Sequence, residues 1–373
     1  MPTASASDAR SSHAFGVGLI LVTLLSWASI PLFLRSLWTD YHLDPFTANG
    51  YRYALSAAFW LPFLIFARRR GNLPTALLTA AIVPTIFNLL GQTAFAWGPA
   101  LLEPGFFSFV FRVQIVFVTL GAYILFPAER VALRRPAYWV GIALVIVGSI
   151  GLIAMKDPAP LAGPSLVITT NEPVLESARS FIKPGSAEHP GLIALGVGVS
   201  LLSGVMFAGY ALSVRQFVSH YSPVTSFGVI CQYTALGAIV IMFGAPLLNP
   251  ILPGTLAHAD PMLPLRTFGF DAWTLIIASS FIGIAISHVS YYASIKRLGV
   301  SVSSGIIQLQ PIITALASLV LFDERLNAWQ WLSGSIGIAG ALLMLSVSWR
   351  AATAGSDAQT LTQKPTGGAN GSD

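Results

Sequence analysis

The sequence predicts an all-α integral membrane protein: ten transmembrane helices arranged as two inverted five-helix repeats. Three observations carry this reading: extreme apolarity, ten long apolar runs, and an ordered series of matches between the two halves of the chain.

Of 373 residues, 54% are hydrophobic and only 9% are charged, and the mean hydropathy is +0.72. Soluble domains carry about 25% charged residues. Twenty basic and 15 acidic side chains cannot coat a 39.6 kDa chain in water, so lipid must cover much of it. A hydrocarbon core about 30 Å thick needs about 20 apolar residues per helix. Runs of that length exclude barrel strands and leave helices to satisfy the backbone within lipid.

The net charge of +5 does not imply a nucleic-acid partner. The basic residues sit in short clusters between apolar runs, Arg68, Arg69 and Arg70 being the densest, as the positive-inside rule requires. The expected partners are the lipid bilayer and a small-molecule solute. Cys231 is alone and cannot form an internal disulfide.

The apolar runs cover 14–36, 45–67, 74–97, 103–126 and 136–155, then 190–218, 223–248, 271–293, 303–322 and 329–349. The first must be weighed as a signal peptide, because Ser26-Trp27-Ala28 mimics a small-x-small cleavage site. Its length suffices to span, and it has a counterpart in the second half, so its retention is expected. Several runs open at proline, whose missing N–H is harmless in a first helical turn.

These runs group into an N-terminal segment 1–13, a first repeat 14–155, a linker 156–189 outside the membrane, a second repeat 190–349 and a tail 350–373. The linker is rich in Pro, Ser and charge. The tail is rich in Gly, Ser, Thr and Gln and is expected to be disordered.

The halves match in order. Pro45 and Thr47 pair with Pro223 and Thr225, and Gln114-Ile115 pairs with Gln310-Pro311. Glu129-Arg130 pairs with Glu324-Arg325, and Trp139 and Gly148 pair with Trp331 and Gly340. Five helices is an odd number, so the second copy enters the membrane upside down. Inverted repeats of this kind place a binding site at their interface near the midplane, which favours a carrier. Charge asymmetry places both termini in the cytoplasm, with Arg35, Arg266, Arg325 and the linker outside. The expected location is a bacterial cytoplasmic membrane.

This pattern resembles the drug/metabolite transporter superfamily, specifically its ten-helix EamA-type members, over residues 14–348. The resemblance rests on a repeated block, 106–151 and 302–345: small and polar residues, a Pro- or Gln-bearing helix, an acidic-Arg helix end and a Gly-rich last helix. Gln310-Pro311 and Asp323-Glu324-Arg325 fit the family pattern closely. In the first block Arg112 and Gln114 stand in the helix, and Ile115 occupies the place of the usual proline. The resemblance implies a secondary transporter of metabolites or drug-like solutes. It names no solute.

Arg112 is the sharpest candidate for chemistry. It lies nine residues into its run, about 13 Å deep at 1.5 Å per residue. Such an arginine faces a cavity or a partner, and its planar fork suits an anionic group. Pairing with Glu103 or snorkelling to the surface are the structural alternatives. Arg52 lies shallower in the second run. Gln114 and Gln310 occupy equivalent repeat positions, so both can approach the central interface. His288 and Tyr291 complete the candidate substrate-binding group. Gly334, Gly337 and Gly340 suit close helix packing. The pairs Glu129-Arg130 and Glu324-Arg325 suit helix-end salt bridges or gates that break as the halves rock.

No HExxH, GxSxG or phosphate-loop pattern occurs, and carboxylates are nearly absent from the runs. No enzymatic activity, cofactor or metal site is therefore expected. A channel, receptor or scaffold is the alternative to a carrier, and an intramembrane enzyme is less favoured than either.

Overall fold

The computed structural model describes residues 6–126, 134–155, 190–251, 259–298, 303 and 306–362. Every regular element among them is helical. The first half comprises α1 (Ala6–Thr39), α2 (Pro45–Arg69), α3 (Thr75–Ala80), α4 (Ile82–Leu101), α5 (Pro104–Phe111), α6 (Gln114–Leu125) and α7 (Pro136–Ala154). The second comprises α8 (Pro190–Ser213), α9 (Pro223–Gly244), α10 (Leu263–Thr267), α11 (Phe270–Ser280), α12 (Ser287–Leu298), α13 (Gln310–Phe322) and α14 (Ala328–Thr362).

Eight stretches are long and apolar enough to cross a membrane by length and composition. They combine α3 with α4, α5 with α6, and α11 with α12 through a π-helical turn at Phe281–Ile286. α2 is 25 residues long but carries Asn49 and Arg52, which lower its hydropathy. α13 is apolar but has 13 residues, too few to be counted among the eight. The architecture is ten crossings in two repeats.

Local chemistry explains the helix starts. Pro45, Pro104, Pro136 and Pro223 each open a helix, where no N–H is needed. Asp44 caps α2 by accepting the Thr47 N–H at 2.9 Å. Its other oxygen accepts the Asp260 N–H at 3.3 Å, which draws the loop before α10 onto the start of α2.

The packing is symmetric in kind. The most extensive contacts join α7 to α14, α4 to α8, α2 to α9 and α1 to α12. Numbered as crossings, these are 5 with 10, 3 with 6, 2 with 7 and 1 with 8. Exchanging the two halves maps this set onto itself, as an inverted repeat demands. α7 and α14 approach at backbone distance. A Cβ on Gly148 would stand 2.5 Å from the Gly337 nitrogen, and one on Gly340 would stand 2.6 Å from the Gly141 carbonyl oxygen.

Three features depart from the sequence reading. The fourth and ninth crossings are interrupted. The loop between α9 and α11 contains a short helix, α10. The tail expected to be disordered from 350 instead continues α14 to Thr362. Ala351, Ala352, Ala354, Ala358 and Leu361 are strong helix formers, and no proline intervenes before Pro365. The linker 156–189 lies outside the described residues.

Candidate functional site

The two interruptions build the site. In the fourth crossing α5 stops at Phe111 and α6 starts at Gln114. Between them the Arg112 and Val113 N–H groups bond the Phe109 and Val110 carbonyls at 3.1 and 3.2 Å, a tighter turn than an α-helix. In the ninth crossing Gln308 and Leu309 form the turn, the Leu309 N–H bonds the Ile306 carbonyl at 3.1 Å, and α13 starts at Gln310. The offset of 196 that aligns Gln114 with Gln310 also aligns Arg112 with Gln308. Both breaks therefore fall at the same repeat position. Pro311 explains the second, because it has no N–H to continue the helix backwards. No proline explains the first.

Across this pair of breaks the halves are tied together. The Arg112 Nη2 donates to Gln310 Oε1 in a short contact. Gln310 Nε2 donates to the Trp27 carbonyl at 3.0 Å, and Thr314 Oγ1 donates to the Ala28 carbonyl at 3.0 Å. α1 thereby joins the break of one half to the first turn of α13. The Trp27 ring lies 5.0 Å from Tyr291 and meets His288 edge-on at 5.5 Å. His288 in turn stacks on Phe227 at 4.7 Å, with Nδ1 3.1 Å from the Ile284 carbonyl.

Arg52 borders the same aromatic group. It is fully buried, with Nη1 donating to Asn49 Oδ1 at 3.0 Å and Nε donating to Ser279 Oγ at 3.1 Å. Snorkelling to the surface is thus not its solution. Among the described residues its Nη2 has no acceptor, and neither has Nε of Arg112. Among the described residues neither arginine makes an ion pair. Arg112 is tied to Gln310 rather than to Glu103.

The fold thus gathers Arg52, Arg112, Gln310, His288 and Tyr291. Gln114 stands apart: it packs against α8, where a Cβ on Gly204 would lie 3.5 Å from it. Trp27, Asn49, Ser279 and Phe227 belong to the group but are not picked out by sequence. Asn49 had a signal, standing one helical turn before Arg52. Trp27 had none to separate it from the other aromatics.

The profile of the EamA-like transporter family matches residues 14–154 and 194–346, once over each half. The chain belongs to this family. No curated relative matches it. A solved structure titled "Crystal structure of protein" is similar at a TM-score of 0.54 and 14% identity, covering 91% of this chain and 98% of that one. That likeness shows the fold alone. As an EamA-like transporter within the drug/metabolite superfamily, the protein is a multi-pass membrane transporter.

At one end of this EamA-like bundle the two repeats are tied together. Arg35 of α1 and Glu324 form an ion pair at 3.0 Å, to which Ser318 Oγ also donates. The second Arg35 nitrogen donates to the Pro99 carbonyl at 3.3 Å. Burial pushes the Glu324 carboxyl above its usual range, and Arg35 opposes that shift. Arg325 pairs with Asp323 instead, in solvent. Nearby, α5 meets α13 so closely that a Cβ on Gly105 would stand 2.9 Å from the Ala315 Cα. Glu103, Phe106, Ser318 and Glu324 border a narrow crevice at that end. Glu129 and Arg130 lie outside the described residues.

Proposed function

We propose that the protein is a secondary carrier that moves a small anionic or zwitterionic solute by alternating access. Arg112 and Arg52 hold the anionic part, Gln310 orients it, and His288 and Tyr291 line the site beside Trp27. The observation that carries this reading is two membrane-embedded arginines, each with an unpartnered buried N–H and, among the described residues, neither with a carboxylate in ion-pair range. A guanidinium held in low dielectric is costly unless an opposite charge joins it, so an arriving anion meets ready donors.

The Arg35–Glu324 pair acts in this reading as a gate at the extracytoplasmic end. Both termini lie in the cytoplasm, and the membrane is a bacterial cytoplasmic membrane. The test is a thermal-shift screen of purified protein against small carboxylates, phosphates, zwitterions and neutral solutes. A ligand at 100 times its Kd raises stability by about 2.7 kcal/mol. Stabilisation by anions or zwitterions that Arg112→Gln removes supports the reading. Stabilisation by neutral solutes alone, retained in Arg112→Gln, rejects it.

A further inference from the structure

The bond between Arg112 and Gln310 has an unmade twin. Arg112 sits at the break of the fourth crossing and reaches the first residue of α13. The repeat offset assigns Gln308 to the equivalent break and Gln114 to the equivalent first residue, that of α6. In this structure the twin contact is open. Gln308 Oε1 is buried without a hydrogen-bond partner, and Gln114 packs on α8 with no side-chain hydrogen bond among the described residues.

We propose that Gln308 and Gln114 are positioning residues of the transport cycle, forming the bond that replaces Arg112–Gln310 when the two halves exchange conformations. The inference rests on the alternating-access reading above. In an inverted repeat the opposite state is generated when each half adopts the arrangement its twin now holds. The contact made now then opens, and its pseudo-symmetric twin closes. A buried amide oxygen without a partner is costly and requires a compensating arrangement elsewhere. For Gln308 the opposite state supplies one, since the Gln114 amide can donate to it. The pairs are unequal, because a bond from a cationic donor is stronger than one between two amides. The present state, with Arg112 engaged, is accordingly the favoured one in the empty protein.

The test reads the conformational equilibrium rather than flux. With Cys231→Ser in place, Ala315→Cys reports opening at the α5–α13 contact through its rate of modification by a soluble maleimide in purified full-length protein. Exchanging the partners with Arg112→Gln and Gln308→Arg transfers the stronger bond to the twin, and the rate should rise about tenfold or more. Gln308→Met removes the twin bond alone, and the rate should fall about threefold. If the exchanged protein does not fold, Gln308→Met decides by itself. A measurable parent rate that these changes leave unmoved overturns the pair while sparing alternating access. A reporter that never reacts in any background overturns both.

Discussion

Arg35 and Glu324 lie 289 positions apart in the sequence and meet at 3.0 Å, in a pair that joins the first repeat to the second. Glu324 is adjacent in sequence to Arg325, yet Arg325 turns outward to Asp323. The reason is local geometry: Asp323 ends α13 in a left-handed conformation at φ 52°, which reverses the chain and places Glu324 inward.

This pair predicts a pH dependence. The folded-state pKa of Glu324 is raised by burial, so the native state binds more protons than the unfolded state between the ordinary carboxylate pKa and the raised one. Its contribution to stability is therefore largest in acid and falls as pH rises through the raised value. Glu324→Gln, a neutral isostere, should match the wild-type thermal midpoint in acid and exceed it at higher pH. A variant less stable than wild type at neutral pH would show that attraction to Arg35 outweighs desolvation.

The two arginines should separate stability from binding. Arg52 is fully buried with one guanidinium nitrogen unsatisfied, so Arg52→Met removes an uncompensated charge while keeping apolar volume. The thermal midpoint of the empty protein should stay level or rise, and stabilisation by an anionic ligand should drop at least about tenfold in apparent affinity. A collapse of the empty protein would instead assign Arg52 a structural role through Asn49 and Ser279.

The α7–α14 seam should be intolerant of small additions. In Gly148→Ala the new methyl would meet the Gly337 nitrogen and the Ser333 carbonyl oxygen, both backbone atoms that cannot rotate away. Overpacking of this kind costs about 1–3 kcal/mol. Gly18→Ala, where a Cβ meets nothing within 4 Å, is the matched control. Equal thermal midpoints for the two variants would remove the close-approach account.

Topology is tested by labelling. In a Cys231→Ser background, an impermeant thiol reagent on intact cells should modify Ser177→Cys and spare Thr75→Cys. The reverse pattern would invert the assigned orientation.

Sequence alone determined the membrane class, the ten crossings and the twofold repetition, because apolar run length and repeat matches are written along the chain. It also singled out Arg112 for its depth, the shallower Arg52, and Gln114 and Gln310 for their equivalent repeat positions. Neither helix break was read from the sequence: Pro311 accounts for one once the fold shows it, and the equivalent break at Arg112 carries no proline. Among 9 Trp, 10 Tyr and 23 Phe residues, nothing in one dimension selects Trp27, which is chosen by the carbonyl it offers to Gln310. Partner choice was likewise left to the tertiary structure: Arg112 with Gln310 and not Glu103, Arg35 with Glu324 and not Arg325 with Glu324. Hydropathy and periodicity record how each residue relates to its own helix and to lipid. Which side chains meet across the repeat interface depends on how the two halves are rotated against each other, and that rotation is fixed only when all ten helices pack.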